Sequence, residues 1–133
     1  MIEPKQGTPQ IHPFSSLHKR TDLKGVPIMQ FDRREVDLGK VKKGEKRSFE
    51  YRFTNLGDTP LEIDIISACD CTTLEYNYGP YAPGKGDVIK VVFDSTEKDE
   101  AETIDIDIIL KNLLPGTDVP IIERLEYSFD IQK

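Results

Sequence analysis

Phe53-Thr54-Asn55-Leu56-Gly57, then Pro60-Leu61-Glu62-Ile63-Asp64-Ile65-Ile66, then Cys69-Asp70-Cys71-Thr72-Thr73 is the stretch on which the fold turns. Just before it, Phe49, Tyr51 and Phe53 alternate with Ser48, Glu50, Arg52 and Thr54, which puts apolar groups on one face and polar groups on the other. That period of two predicts a half-buried strand. Asn55 to Pro60 supplies residues that tolerate positive φ or preset a turn, and Leu61, Ile63 and Ile65 then resume the alternation against Glu62 and Asp64. The two segments read as an antiparallel pair or as neighbours across a sandwich.

The same pattern extends in both directions. Upstream, Ile28, Phe31, Val36, Leu38 and Val41 mark a first strand, broken at Arg33-Arg34 and ended by Lys42-Lys43-Gly44-Glu45. Downstream, Leu74, Tyr76 and Tyr78 alternate with polar residues before the turn-rich Gly79 to Asp87, and Ile89, Val91 and Phe93 follow. Ile104, Ile106, Ile108 and Leu110 face one way, with Thr103, Asp105 and Asp107 on the other side; Leu125, Tyr127, Phe129 and Ile131 close the chain. About seven strands separated by regular turn signals predict an all-β, immunoglobulin-like antiparallel sandwich spanning 28–133. Phe53, Ile63, Ile65, Val91, Ile106, Ile108, Tyr127 and Phe129 are its expected core. The alternating isoleucines would be a hazard at a sheet edge, and Asp105 and Asp107 would discourage pairing there.

Residues 1–27 differ in kind. They hold Pro4, Gly7, Pro9, Pro13 and both histidines, His12 and His18, and carry positive charge while the whole 133-residue chain has a formal charge of -6. This stretch reads as an extended N-terminal arm, either a tether to an anchor or a free terminus. The acidic balance argues against nucleic acid as a partner. No apolar run approaches the roughly 18 residues that cross a bilayer, so no direct membrane insertion is expected, although the arm could carry an anchor. No signal peptide opens the chain as given.

Phe31-Asp32, Leu38-Gly39-Lys40-Val41-Lys42-Lys43-Gly44-Glu45, Phe53 to Gly57, Pro60 to Ile63, Cys69-Asp70-Cys71-Thr72 and Pro83-Gly84-Lys85-Gly86 together resemble a known family. It is the bacterial domain-of-unknown-function family with a Cys-Gly-Cys-Thr signature, related in fold to Hydin-type and major-sperm-protein-like immunoglobulin domains. The resemblance covers about residues 28 to 112. Asp70 stands where the family usually has glycine, the final strand lacks the family's glycine-containing ending, and the loop at 112 to 124 is long. The resemblance implies a non-enzymatic module, commonly exported, and hence a periplasmic or cell-surface location.

Few residues could carry chemistry. Cys69 and Cys71, in an extended strand, would hold their Cβ atoms about 7 Å apart, too far for a disulfide without a tight turn. They are expected to be reduced and to bind no zinc, since two thiolates fall short of a closed site. Three roles remain for them: buried packing, a thiol-redox pair, or two soft ligands for monovalent copper. Tyr76, Tyr78 and Tyr81 form a candidate contact patch for a protein or glycan. The acids between Glu97 and Asp107 lack the spacing of a calcium loop and read as a solvated face. With both histidines in the arm, no acid–base pair is expected in the body, so no catalysis and no cofactor are expected. The chain reads as a non-catalytic binding or scaffold module for a protein partner, with the thiol-redox or copper-handling module at Cys69 and Cys71 as the alternative.

Overall fold

A computed structural model describes residues 11–133; the opening of the arm, with Pro4, Gly7 and Pro9, lies outside the described residues. Eight strands form two four-stranded sheets, and no helix occurs among the described residues. β1 (Met29–Phe31), β3 (Lys46–Asn55), β6 (Gly86–Asp94) and β5 (Thr72–Glu75) make the first sheet in that order. β2 (Glu35–Lys42), β8 (Pro120–Gln132), β7 (Glu102–Leu113) and β4 (Ile63–Ser67) make the second. The all-β immunoglobulin-like sandwich is therefore observed, with one strand more than expected. The break expected at Arg33-Arg34 is a change of sheet: β1 ends in one layer and β2 begins in the other. One pairing departs from the antiparallel expectation, because β2 runs parallel to β8.

The period-two pattern explains the core. Tyr51 and Phe53 from β3, Ile89, Val91 and Phe93 from β6, Ile104, Ile106, Ile108 and Leu110 from β7, and Leu125, Tyr127 and Phe129 from β8 are all buried between the layers. Phe93 stacks on Phe129 with ring centroids 4.3 Å apart, and Phe49 meets Tyr127 edge-on at 5.1 Å. The buried Tyr51 hydroxyl crosses the sandwich to donate to the Glu126 carbonyl at 2.6 Å, so burying this ring strands no polar group. Gly86 sits where its strand lies tight against Phe53, and a Cβ there would strike the Phe53 carbonyl. Ile106→Val, which deletes one methylene from the fully buried face of β7, is expected to cost about 0.5–1.5 kcal/mol in urea unfolding; a cost near zero would mean the site collapses around the gap.

Ile65 corrects the expected core. A register shift between Ile63 and Ile65 places Ile63 and Ile66 inward and leaves Ile65 50% exposed. A bulge inserts one residue, and with a period of two one residue is enough to turn a side chain to the other face.

β7 lies between β8 and β4 and is not an edge, so its outward acids do a different job from the one expected: Arg124 on β8 reaches Asp107 at 2.9 Å and Asp105 at 3.6 Å. The true edges are protected by side chains and loops. Arg47 donates to the Leu38 and Lys40 carbonyls of β2, and β4 gives its Ile63 N–H to the Tyr78 carbonyl and its Ile66 N–H to the Tyr76 hydroxyl.

The described part of the arm packs on the sandwich. Ser15 bridges antiparallel to Glu123, and the Ser16 N–H and Phe14 carbonyl bond Ile122 and Arg124 along the opening half of β8, which β2 does not reach. Leu17 and Val26 are buried. Beneath this contact lies an ion pair. Glu123 is only 1% exposed; it accepts from Arg34 Nη2 at 2.9 Å and from Ser15 Oγ at 2.7 Å. The Arg34 guanidinium also donates to the Met29 and Arg124 carbonyls and lies 5.0 Å over the Phe31 ring. Burial pushes the Glu123 carboxyl up from its ordinary value, with Arg34 pulling against it.

Candidate functional site

β4 and β5 belong to opposite sheets, and the short chain between them turns a corner at Ser67 to Cys71. The turn is closed by the Thr72 N–H, which donates to the Cys69 carbonyl at 3.0 Å. Because the chain bends here, the Cys69 and Cys71 Cα atoms lie 5.3 Å apart and the two sulfurs are joined in a disulfide. This overturns the expected reduced pair, which assumed the spacing of an extended strand. In this form the sulfurs are bonded to each other and are not the thiolates that copper would need. Asp70 keeps an ordinary negative φ, since Lys19 is the one non-glycine residue with positive φ among those described. The corner accordingly holds Asp70 with no left-handed backbone.

Hydroxyl groups back the disulfide from the core side. Thr72 Oγ lies 3.4 Å from Cys69 Sγ, 3.6 Å from Cys71 Sγ and 2.6 Å from the Tyr127 hydroxyl, which is itself 3.6 Å from Cys71 Sγ. The Cys71 N–H points at Cys69 Sγ from 3.3 Å. Burial pushes the Tyr127 hydroxyl up from its ordinary value, so it stays protonated at neutral pH. On the solvent side a cleft of about 530 Å³ opens over the disulfide, lined by Asp70, Asp94, Thr96, Glu97 and Lys98.

The three tyrosines divide. Tyr76 and Tyr78 stand together with ring centroids 5.3 Å apart against the edge of β4, and Tyr78 is 56% exposed. Tyr81 turns away, meeting Phe53 edge-on at 5.1 Å and donating its hydroxyl to Asp87 at 2.8 Å. The Asn77 amide and this hydroxyl hold the Asp87 carboxyl below its ordinary range. Sequence reasoning missed a second group beside the first two rings. Register aligns Ile65 on β4, Ile109 on β7 and Ile122 on β8 across the outer face of the second sheet. Ile122 is 37% exposed, and Leu113 and Val119 are exposed at the same end. The available signal was Ile108-Ile109 and Ile121-Ile122, paired isoleucines that a strand cannot both bury on one face.

Both histidines line a separate cleft of about 680 Å³ with Phe31, Arg33, Arg34 and Glu35. His12 Nδ1 accepts from the Phe14 N–H, and desolvation, with Arg34 nearby, lowers its pKa. Ser15, the hydroxyl nearby in sequence, is committed to Glu123 and to the Leu17 N–H. Among the described residues no group of three His, Cys, Asp or Glu is placed to hold a metal ion.

Residues 29–120 match the family described as "Protein of unknown function (DUF1573)". The chain belongs to the DUF1573 family. No curated protein matches it. Among solved structures, this DUF1573 chain is similar to a protein of unknown function from Porphyromonas gingivalis W83, with a TM-score of 0.64 and 17% identity over 84% of this chain; it spans 50% of that chain. It is also similar to PapD-like domain 7 of human CEP192, an ASH / PapD-like domain, with a TM-score of 0.62 and 11% identity over 100% of this chain and 97% of that one. The VesB protease of Vibrio cholerae gives a TM-score of 0.54 and 16% identity over 79% of this chain and 32% of the protease. At these identities the likeness is one of fold. The shared fold is the immunoglobulin-like sandwich.

Proposed function

We propose that this DUF1573 domain is a non-catalytic protein-interaction module of an exported bacterial protein, and that its partner seats on the apolar end of the β8-β7-β4 face beside Tyr76 and Tyr78. The observation that carries this reading is the aligned row Ile65–Ile109–Ile122, continued by Leu113 and Val119. Four of the six exposed large hydrophobic residues among those described fall at this end, with Tyr78 alongside as a fifth, so the exposure is concentrated, which scattered surface residues would not produce. Glu62 and Asp64 are exposed beside the patch. A polypeptide segment with apolar side chains therefore fits it, and the arm would serve as its tether.

A photo-crosslinking residue at Val119, in cells of the source organism, should capture one discrete partner. Ile65→Glu with Ile122→Glu should abolish that band while changing stability by no more than about 1 kcal/mol, since both side chains face solvent. A band unaffected by the two substitutions, or one at twice the mass of the chain itself, would remove this reading.

A further inference from the structure

We propose that the Cys69–Cys71 disulfide is a thiol–disulfide exchange site that oxidises a dithiol in a basic polypeptide segment. Three observations converge on it. The ring it closes spans one intervening residue, so it restrains the unfolded chain very little, and the Thr72-to-Cys69 hydrogen bond already holds the same turn. A structural staple would join distant segments; this bond does not. Cys69 and Cys71 are half-buried and both line the open cleft, and a disulfide that can be reached from solvent is open to attack. Behind it, the hydroxyl pair is arranged to donate. The Tyr127 hydroxyl, protonated at neutral pH, can donate its hydrogen bond to Thr72 Oγ, which frees the Thr72 hydrogen to turn toward either sulfur.

The exchange runs as follows. A substrate thiolate attacks Cys71 Sγ; the S–S bond breaks and its electron pair leaves on Cys69 Sγ, where the Cys71 N–H and the Thr72 hydroxyl stabilise the charge. The second substrate thiol, deprotonated, attacks the substrate sulfur of the mixed disulfide and expels Cys71. The substrate dithiol loses two electrons and becomes a disulfide. Cys69 and Cys71 gain them and take up the two protons that the substrate thiols release. Asp70, Asp94 and Glu97 line the cleft against Lys98, whose ammonium is held by Glu102 at 3.0 Å, so a basic segment is favoured over an acidic one.

The test mixes the oxidised protein with a reduced bis-cysteine peptide flanked by lysines and follows both masses with time. The protein is expected to gain two hydrogens as the peptide loses two, at least about tenfold faster than an oxidised Cys-Asp-Cys-Thr tetrapeptide does. Thr72→Val should slow this about tenfold, and Tyr127→Phe, which keeps the ring in the core, should slow it in the same direction. A glutamate-flanked peptide should react about tenfold more slowly at low salt, with the gap closing at high salt. A protein no faster than the tetrapeptide, or a folded Thr72→Val as fast as the native chain, would overturn the proposal.

Discussion

Arg34→Met is expected to lower the unfolding free energy by about 3–5 kcal/mol at neutral pH, because it leaves the Glu123 carboxylate charged, 1% exposed and deprived of its counter-ion. Methionine fills much of the same space, so the loss is electrostatic more than steric. The sign of the pH dependence follows from the direction of the Glu123 shift. Burial raises its folded-state pKa above the unfolded value, so its ionisation favours the unfolded chain. The stability it contributes is fully present below the unfolded pKa, and it is lost as pH rises through the folded one. In the native protein Arg34 and the Ser15 hydroxyl oppose this loss; in the variant only the hydroxyl does. The deficit of Arg34→Met should therefore be smallest near the ordinary glutamate pKa and widen toward pH 8, as read from urea midpoints across that range. Adding Glu123→Gln should restore much of the loss at neutral pH while keeping an acceptor for Ser15. A deficit that does not vary with pH would mean that the lost bonds to the Met29 and Arg124 carbonyls dominate instead.

Asn55→Asp, a change of one atom, is expected to cost roughly 3–6 kcal/mol. The Asn55 side chain, fully buried, accepts from the Ile28 and Gly57 N–H groups and donates through Nδ2 to the Thr59 and Tyr81 carbonyls at 2.9 and 3.0 Å. One amide thus joins the end of β3 to the strand entry at Ile28, the turn at 57–59 and the loop at 81. A carboxylate in the same place keeps the two acceptor contacts but turns an oxygen toward two carbonyl oxygens. Asn55→Ala should cost a comparable amount, whereas a loss below about 1 kcal/mol in either variant would mean that water replaces the amide.

Most of the sandwich is legible in the chain because strands with one buried face advertise it. Ile104 to Ile108 and Leu125 to Phe129 keep strict alternation, and every inward position in them is buried. Legibility fails where the geometry departs from a period of two. The bulge at Ile63–Ile65 exchanges Ile65 for Ile66, and the corner at Cys69–Cys71 brings together sulfurs that an extended strand would separate. Glu123 was readable in principle, since it shares the inward parity of Ile121 and Leu125; a charge at such a position points to a buried partner without naming it. That partner, Arg34, is 89 residues away. The candidate site was legible in part: Cys69, Cys71, Tyr76 and Tyr78 are adjacent in sequence, whereas Thr72 and Tyr127 meet only because β5 and β8 face each other across the layers.

The closure of the second sheet has a consequence for how the chain must be made. β2 pairs with β8, and Ser15 meets Glu123 across 108 residues, so the partners of β2 and of the arm are made after the other seven strands. Until they emerge, β2 and β7 each lack a neighbour, and β7, with Ile104, Ile106 and Ile108 on it, keeps one edge unpaired. Such contacts between distant residues form slowly, and nascent chains that wait for them expose sticky surface. A ribosome stalled before Glu123 should therefore carry a protease-sensitive, chaperone-bound chain, and emergence of β8 should convert it to the folded domain in a single step.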